Sequence, residues 1–405
     1  MASEYRRLAA AGSLLQPASA RSAISPFIVM EVMRAAAERE AQGVRVIHME
    51  VGQPGTPAPR AAREAVKRAL DRDTLGYTLA LGTDPLRQRI AQLYKERYGI
   101  SIRHGRVAVT NGSSAAFVLA FLALFDLGAK VALPSPGYPC YRHILTALGV
   151  EPVLLPVDDA SRWMPTAAQI EAASETDGIA GLLLASPANP TGTMLEPARL
   201  AEIAALCRRR KIWFVSDEIY HGLSYGVPEQ TALQHSDDVV VINSFSKYFS
   251  MTGWRIGWMI VPDGLAGDVE RFAQNLYISP PAVAQVAALG AFEGIDELEA
   301  NKRVYEANRA LLLAELPAAG LDRIVPADGA FYLYADVGVY TDDSLEFARA
   351  MLNETGVAAT PGVDFDATRG RHFIRFSYAG TTADMAEAVR RLKAWRRLDG
   401  GARKA

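Results

Sequence analysis

Short apolar runs alternate with stretches of helical periodicity over the first two-thirds of the chain. Residues 107–110, 130–133, 151–157, 179–185, 211–215 and 239–242 are unbroken and mostly apolar, as strands covered on both faces are. Helical patterns fall before and between them, at 24–42 (opened by Ser25-Pro26), 59–70, 84–98, from 111 to about 127, up to about 148, at 166–174 and 197–210. A strand-like VRVIHMEVG precedes Gly52. Beyond Pro262 the pattern predicts long helices over 269–292 and 296–316, strands near 329–337 and 372–378, and helices over 344–354 and 383–398.

Strand and helix in alternation predict a mainly parallel sheet with right-handed crossovers. The expected architecture is α/β: a three-layer large domain, and a small α+β domain built from the N-terminal segment and the C-terminal third. The boundaries read as 1–50 for an arm and part of the small domain, 51–295 for the large domain and 296–405 for the small one.

Composition narrows the class. Of 405 residues half are apolar and 22% charged, and the net charge is −2, so no basic field points to nucleic acid. Cys140 and Cys207 make neither a disulfide framework nor a metal spacing, which with the lack of a signal sequence predicts a cytoplasmic protein. No metal site is expected. Residues 1–22 are rich in Arg, Ser and Ala, but Glu4 and the sparse apolar content favour an arm over a transit peptide. No apolar run is long enough to span a membrane.

The candidate chemistry sits where strands end. Ser113, Tyr138, Asn189, Asp217 and Lys247 each lie in a loop at a strand's carboxyl end, the edge at which open α/β sheets bind ligands. Asn111-Gly-Ser-Ser before an apolar helix is a geometry that binds anions, although Ser113 or Ser114 could equally cap the helix. Lys247 follows Ser244 and Ser246, and Arg255 stands between two Gly-Trp pairs, away from any solvated charge run; together they suit an aldehyde-bearing phosphate. Gly52 lies in a Gly-Pro turn that could offer a bare amide. Arg375 stands mid-strand among apolar residues, where it needs an anion, either a ligand carboxylate or an internal partner.

Six motifs in order then carry a resemblance. Gly112-Ser-Ser, Pro134-Ser-Pro-Gly-Tyr, Asn189-Pro-Thr-Gly, Asp217-Glu-Ile-Tyr, Ser244-Phe-Ser-Lys and Gly253-Trp-Arg-Ile-Gly resemble the class I/II aminotransferases, the fold-type-I pyridoxal-phosphate enzymes, over about residues 24–397. The resemblance implies that Lys247 forms a Schiff base with pyridoxal 5′-phosphate and shuttles the substrate proton. It implies that Asp217 faces the pyridine nitrogen, that Asn189 and Tyr220 bond the ring oxygen, and that Tyr138 stacks on the ring unless it is core. Ser113, Ser114, Ser244 and Arg255 would hold the phosphate. Tyr77 would reach the phosphate across a homodimer interface. Arg375, helped by the Gly52 amide and Asn189, would clamp the substrate carboxylate. One departure stands out: no Lys follows the phosphate turn.

The implied reaction is ping-pong transfer of an amino group from an L-amino acid to a 2-oxo acid. Neither 114–125 nor 274–279 carries an Arg or Lys for a second carboxylate, so a neutral aliphatic or aromatic donor is expected, with Ile24, Phe27 and Ile28 near its side chain. A C–S β-lyase on the same scaffold is the alternative. A DNA-binding regulator would need more chain ahead of Ile24, and a dinucleotide enzyme would need a G-x-G-x-x-G after the first strand, which is absent.

Overall fold

The computed structural model describes residues 19–398, so most of the expected arm lies outside the described residues. Among the described residues twelve strands fall in three sheets. In chain order they are β1 (Ile47–His48), β2 (Val107–Thr110), β3 (Lys130–Ser135), β4 (Glu151–Pro156), β5 (Gly181–Ala185) and β6 (Trp213–Asp217). There follow β7 (Val240–Ser244), β8 (Gly257–Ile260), β9 (Tyr332–Asp336), β10 (Val357–Ala358), β11 (Thr360–Pro361) and β12 (Phe373–Ser377).

The large sheet has the order β2-β8-β7-β6-β5-β3-β4. β3 to β7 run parallel, while β8 is antiparallel to both β7 and β2. Six strands therefore point one way, and the carboxyl ends of β2, β3, β5, β6 and β7 share one edge. Alternate residues feed opposite cores, Leu182 and Leu184 one and Leu183 the other, because successive side chains of a strand point to opposite faces. The first core takes in helices Arg60–Leu70, Asp84–Tyr98, Pro197–Arg210 and Ala282–Ala291. The second takes in Gly112–Leu124, Pro139–Ala147 and Ala266–Leu276. Helix, sheet and helix make the three expected layers.

Several expectations need correction. The strand read over 44–52 forms only β1, paired in parallel with β10, which was not foreseen. The helix expected over 269–292 is two helices, Ala266–Leu276 and Ala282–Ala291, because Pro280 and Pro281 cannot donate the hydrogen bonds that would continue it. β8 was missed: Gly257 and Trp258 read as brackets of Arg255, yet they are the start of a fully buried strand. The strand expected over 211–215 runs on to Asp217. β11, β12 and β9 form a separate antiparallel sheet with β12 in the centre.

Candidate active site

The shared edge of the large sheet brings the sequence candidates together. Lys247 lies three residues past the end of β7, its Nζ donating to Gly52 O and standing 5.9 Å from the Tyr220 ring centroid. Burial, with the charges of Arg375 and Arg255, pushes its amine down to about 8. This contact uses the Gly52 carbonyl and leaves its amide, the group expected to meet the substrate carboxylate, out of it. A Cβ on Gly52 would collide with the Tyr332 hydroxyl, so only glycine fits there.

Asp217 ends β6, 3% exposed, and accepts from Tyr141 Oη and, at 3.0 Å, from Ile219 N. Burial pushes its carboxyl up to about 6, against the pull of those two donors. Tyr220 Oη is 2.7 Å from Tyr332 Oη. Tyr138 precedes helix Pro139–Ala147 and meets Tyr141 and Phe27 edge to face, at 5.2 and 5.9 Å. Phe27, one of the residues expected near the substrate side chain, therefore touches the Tyr138 ring.

A cup forms at the start of helix Gly112–Leu124. Asn111 makes no side-chain cap, and Ser113 and Ser114 sit inside the first turn, so neither is the N-cap that the bland reading of this turn required. The Arg255 guanidinium lies on Gly112, where a Cβ would come within 2.5 Å of Nη2. Gly257, paired with Ser244 across β7 and β8, brings its backbone against Ser113 N. Ser244 Oγ donates to Ile256 O at 3.1 Å and accepts from Ser246 N at 3.0 Å. Arg255 itself is exposed, contrary to the apolar setting expected from its Gly-Trp neighbours, and its backbone adopts φ 51°.

Arg375 is 2% exposed in β12. Nη1 donates to Asn189 Oδ1 at 2.9 Å, and Nη2 to Glu50 O and, at 3.1 Å, to Thr360 Oγ1. No acid is among these partners, and Nε has none among the described residues. The guanidinium is sandwiched 4.4 Å from the Tyr332 ring and 4.8 Å from Phe365. Tyr77 is 86% exposed, Leu79, Leu276 and Ile278 are exposed too, and Thr78 N donates to Ser279 Oγ at 3.4 Å between the two stretches.

Sequence reasoning missed Tyr141, Tyr332, Glu50 and Thr360. Tyr141 and Tyr332 lie in apolar runs, where an aromatic reads as core. A pair of tyrosines flanking Pro139-Cys140 was the available signal for Tyr141.

A buried amine of lowered basicity thus stands within electrostatic reach of a buried carboxylate and two arginines. The comparisons identify the class. Residues 44–392 match the family of class I and II aminotransferases, and the chain belongs to that family, whose members depend on pyridoxal phosphate. It is 47% identical over 380 residues to a valine–pyruvate aminotransferase of Mycobacterium tuberculosis, covering 93% of this chain and 97% of the relative. The crystal structure of an aminotransferase from the same organism matches with a TM-score of 0.91 at 47% identity, over 94% and 99% of the two chains. The aspartate aminotransferase of Thermus thermophilus with maleate matches with a TM-score of 0.89 at 28% identity, over 94% and 100%. The protein is therefore an aminotransferase, an enzyme that moves an amino group from an amino acid to a 2-oxo acid. Among the described residues no helix is long and apolar enough to cross a membrane, and none of their side chains forms a metal-binding cluster.

Proposed function

We propose that this aminotransferase carries pyridoxal 5′-phosphate on Lys247 and takes its amino group from a neutral, aliphatic amino acid. The observation that carries the reading is the Lys247 amine, held at about 8 between Asp217, Tyr220 and the two arginines. The residues fit the cofactor in two further respects. Gly112, at φ 76°, lies under the Arg255 guanidinium at the helix start, as suits a phosphate cradle, and the buried Arg375 has no carboxylate partner of its own.

When bound, the cofactor supplies an electron sink for the pair left at the donor's Cα. Lys247 would hold the cofactor's aldehyde carbon and serve as the base for the proton at the donor's Cα. Asp217 would pair with the pyridine nitrogen, and Asn189 and the Tyr220 hydroxyl with the ring oxygen. Ser113, Ser114, Ser244 and Arg255 would hold the phosphate, and Tyr138 would cover the ring face. Arg375, with Asn189 and the Gly52 amide, would orient the donor's carboxylate. We assign the cofactor to the 51–295 domain and the carboxylate clamp to the small domain that includes 296–405. The exposed Tyr77, Leu79, Leu276 and Ile278 suit an interface between two copies, with Tyr77 completing the phosphate site of the other. The 47% identical relative, by name a valine–pyruvate enzyme, supports the neutral donor, as does the lack of Arg or Lys in 114–125 and 274–279.

The test is an absorption titration of the purified protein with single amino acids. Valine or alanine should bleach the visible band of the bound cofactor and a 2-oxo acid should restore it. Preference for aspartate would sink the donor assignment, and a protein that takes up no cofactor would sink the whole reading.

A further inference from the structure

Behind the strand end that carries Asp217 lies a buried polar cluster with no part in the scheme above. Glu218 and His221 follow β6, Glu229 comes from the loop beyond, and Arg97 and Tyr98 end helix Asp84–Tyr98. Glu218 and His221 are 1% and 3% exposed. Carboxylates at that depth are stable only with well-placed partners. Glu218 Oε1 accepts from Ser216 Oγ, Thr231 Oγ1 and Ala232 N at 3.2, 2.9 and 2.9 Å. Its Oε2 has no hydrogen bond among the described residues and lies 3.4 Å from His221 Nδ1.

The imidazole joins this cluster to the site. Nε2 is 3.0 Å from Ser186 O, and a carbonyl only accepts, so Nε2 carries a proton. Nδ1 is 2.6 Å from Tyr98 Oη, which also lies 3.2 Å from Glu229 Oε1. Glu229 Oε1 also lies 3.9 Å from Nδ1 and 3.9 Å from Arg97 Nη1, and Glu229 Oε2 accepts from Gly222 N. Tyr98 has one proton for two neighbours, and the otherwise unpartnered Glu218 Oε2 at 3.4 Å and Glu229 Oε1 at 3.9 Å favour a proton on Nδ1 as well.

We propose that His221 is a positioning residue of the transamination site, protonated on both nitrogens, which ties the Asn189 loop to the strand end of Asp217 and balances Glu218 and Glu229 behind it. Ser186, its acceptor, stands three residues before Asn189 and donates its own amide to Asp217 O at 3.2 Å. One imidazole therefore braces the loop that holds Asn189 against Arg375 and the strand that presents Asp217. Its charge also matters: after burial, Glu218 adds to the push that raises the Asp217 carboxyl, and His221 opposes it. Removing the imidazole leaves Glu218 facing Asp217 with its opposing charge gone. The titratable groups around the ring are Arg97 and Tyr98 from the helix, Glu218 and Asp217 from the strand end, and Glu229 from the loop.

The inference rests on the assignment of Asp217 and Asn189 to the cofactor, so the experiment has two arms. In the first, nitrogen-15 NMR of histidine-labelled protein, with the His221 signals identified by their loss in H221Q, should find both ring nitrogens protonated at neutral pH. A single protonated nitrogen overturns the proposal, whatever the cofactor does. In the second, the absorbance of the bound cofactor is followed against pH in wild type, H221Q and E218Q. The midpoint should move up in H221Q and down in E218Q, each by about one pH unit, because opposite charges are removed. Shifts of the same sign, or none, overturn it, and E218Q carries the sign alone if H221Q does not fold. A wild type that takes up no cofactor defeats the functional reading, and the NMR arm still decides the proposal.

Discussion

Two arginines act on Lys247 and are built in opposite ways. Arg255 is exposed, sits in the turn between two neighbouring strands, and rests on Gly112 with one bond to Thr252 O at 3.0 Å. Arg375 is buried at the centre of a small sheet and held by residues 15 to 325 positions away along the chain. An exposed guanidinium stays hydrated when empty, so it needs little support. A buried one has lost its water, and its Asn, Thr and carbonyl partners hydrogen-bond it while leaving the charge itself unneutralised. The open arginine suits an anion that stays, and the buried one suits an anion that comes and goes, since its geometry is in place before each arrival.

The comparison is broken most directly at Arg375. R375K should lower kcat/KM for amino donors by about 30-fold or more, the roughly 2–5 kcal/mol typical of disrupting a buried charged contact, and leave the cofactor band intact. Loss of the band with an unchanged donor KM would reverse the roles given to the two arginines. R255A should do the opposite. Equilibrium dialysis should find the cofactor bound about tenfold to a hundredfold more weakly, for the loss of a charged hydrogen bond worth about 1.5–3 kcal/mol, with donor KM near wild type in excess cofactor. Undiminished retention would remove Arg255 from the phosphate site.

Lys247 lies between the two arginines and feels both. With its amine at about 8, the rate at which apoprotein takes up pyridoxal phosphate should rise about tenfold per pH unit below that value and level off above it. The sign of the stability effect follows as well. The folded value lies below the usual 10.5, so the unfolded chain binds the extra proton between them. The apoprotein should therefore gain stability as pH rises from about 8 towards 10.5, with the full penalty present below that window. K247M should lose this gain in thermal melts, and an identical slope in both proteins would refute the shift. The smallest effect is expected of Y332F, which takes one hydroxyl from Tyr220 and keeps the ring under Arg375. A fall in kcat of about fivefold, for about 1 kcal/mol, is the prediction, and a loss of a hundredfold or more would make Tyr332 a proton carrier instead.

Much of the candidate site's strand-end edge could be read from the chain. Each parallel strand is a short apolar run that stops at a small polar motif, and strands that point one way put those motifs on one edge. That is why Ser113, Asn189, Asp217 and Lys247 were found as a set. β8 escaped because its four residues follow a turn rich in Gly and Trp and run against the others, so alternation gave no cue. The same limit hid Tyr332, which stands in a run of buried residues and reads as packing until its hydroxyl is seen on Tyr220.

By itself, then, the sequence determined the layered sheet, its ligand edge and the chemical character of that edge, since period, strand ends and local motifs depend on near neighbours. The tertiary structure alone decided what Arg375 touches. Glu50, Asn189 and Thr360 reach it from separate stretches of chain, and the nearest of them is 15 residues away. It likewise decided that His221 would meet Tyr98 across 123 residues, behind the strand end of Asp217. No local pattern encodes contacts of that span, because they exist only once the two cores have packed the helices and sheets into register.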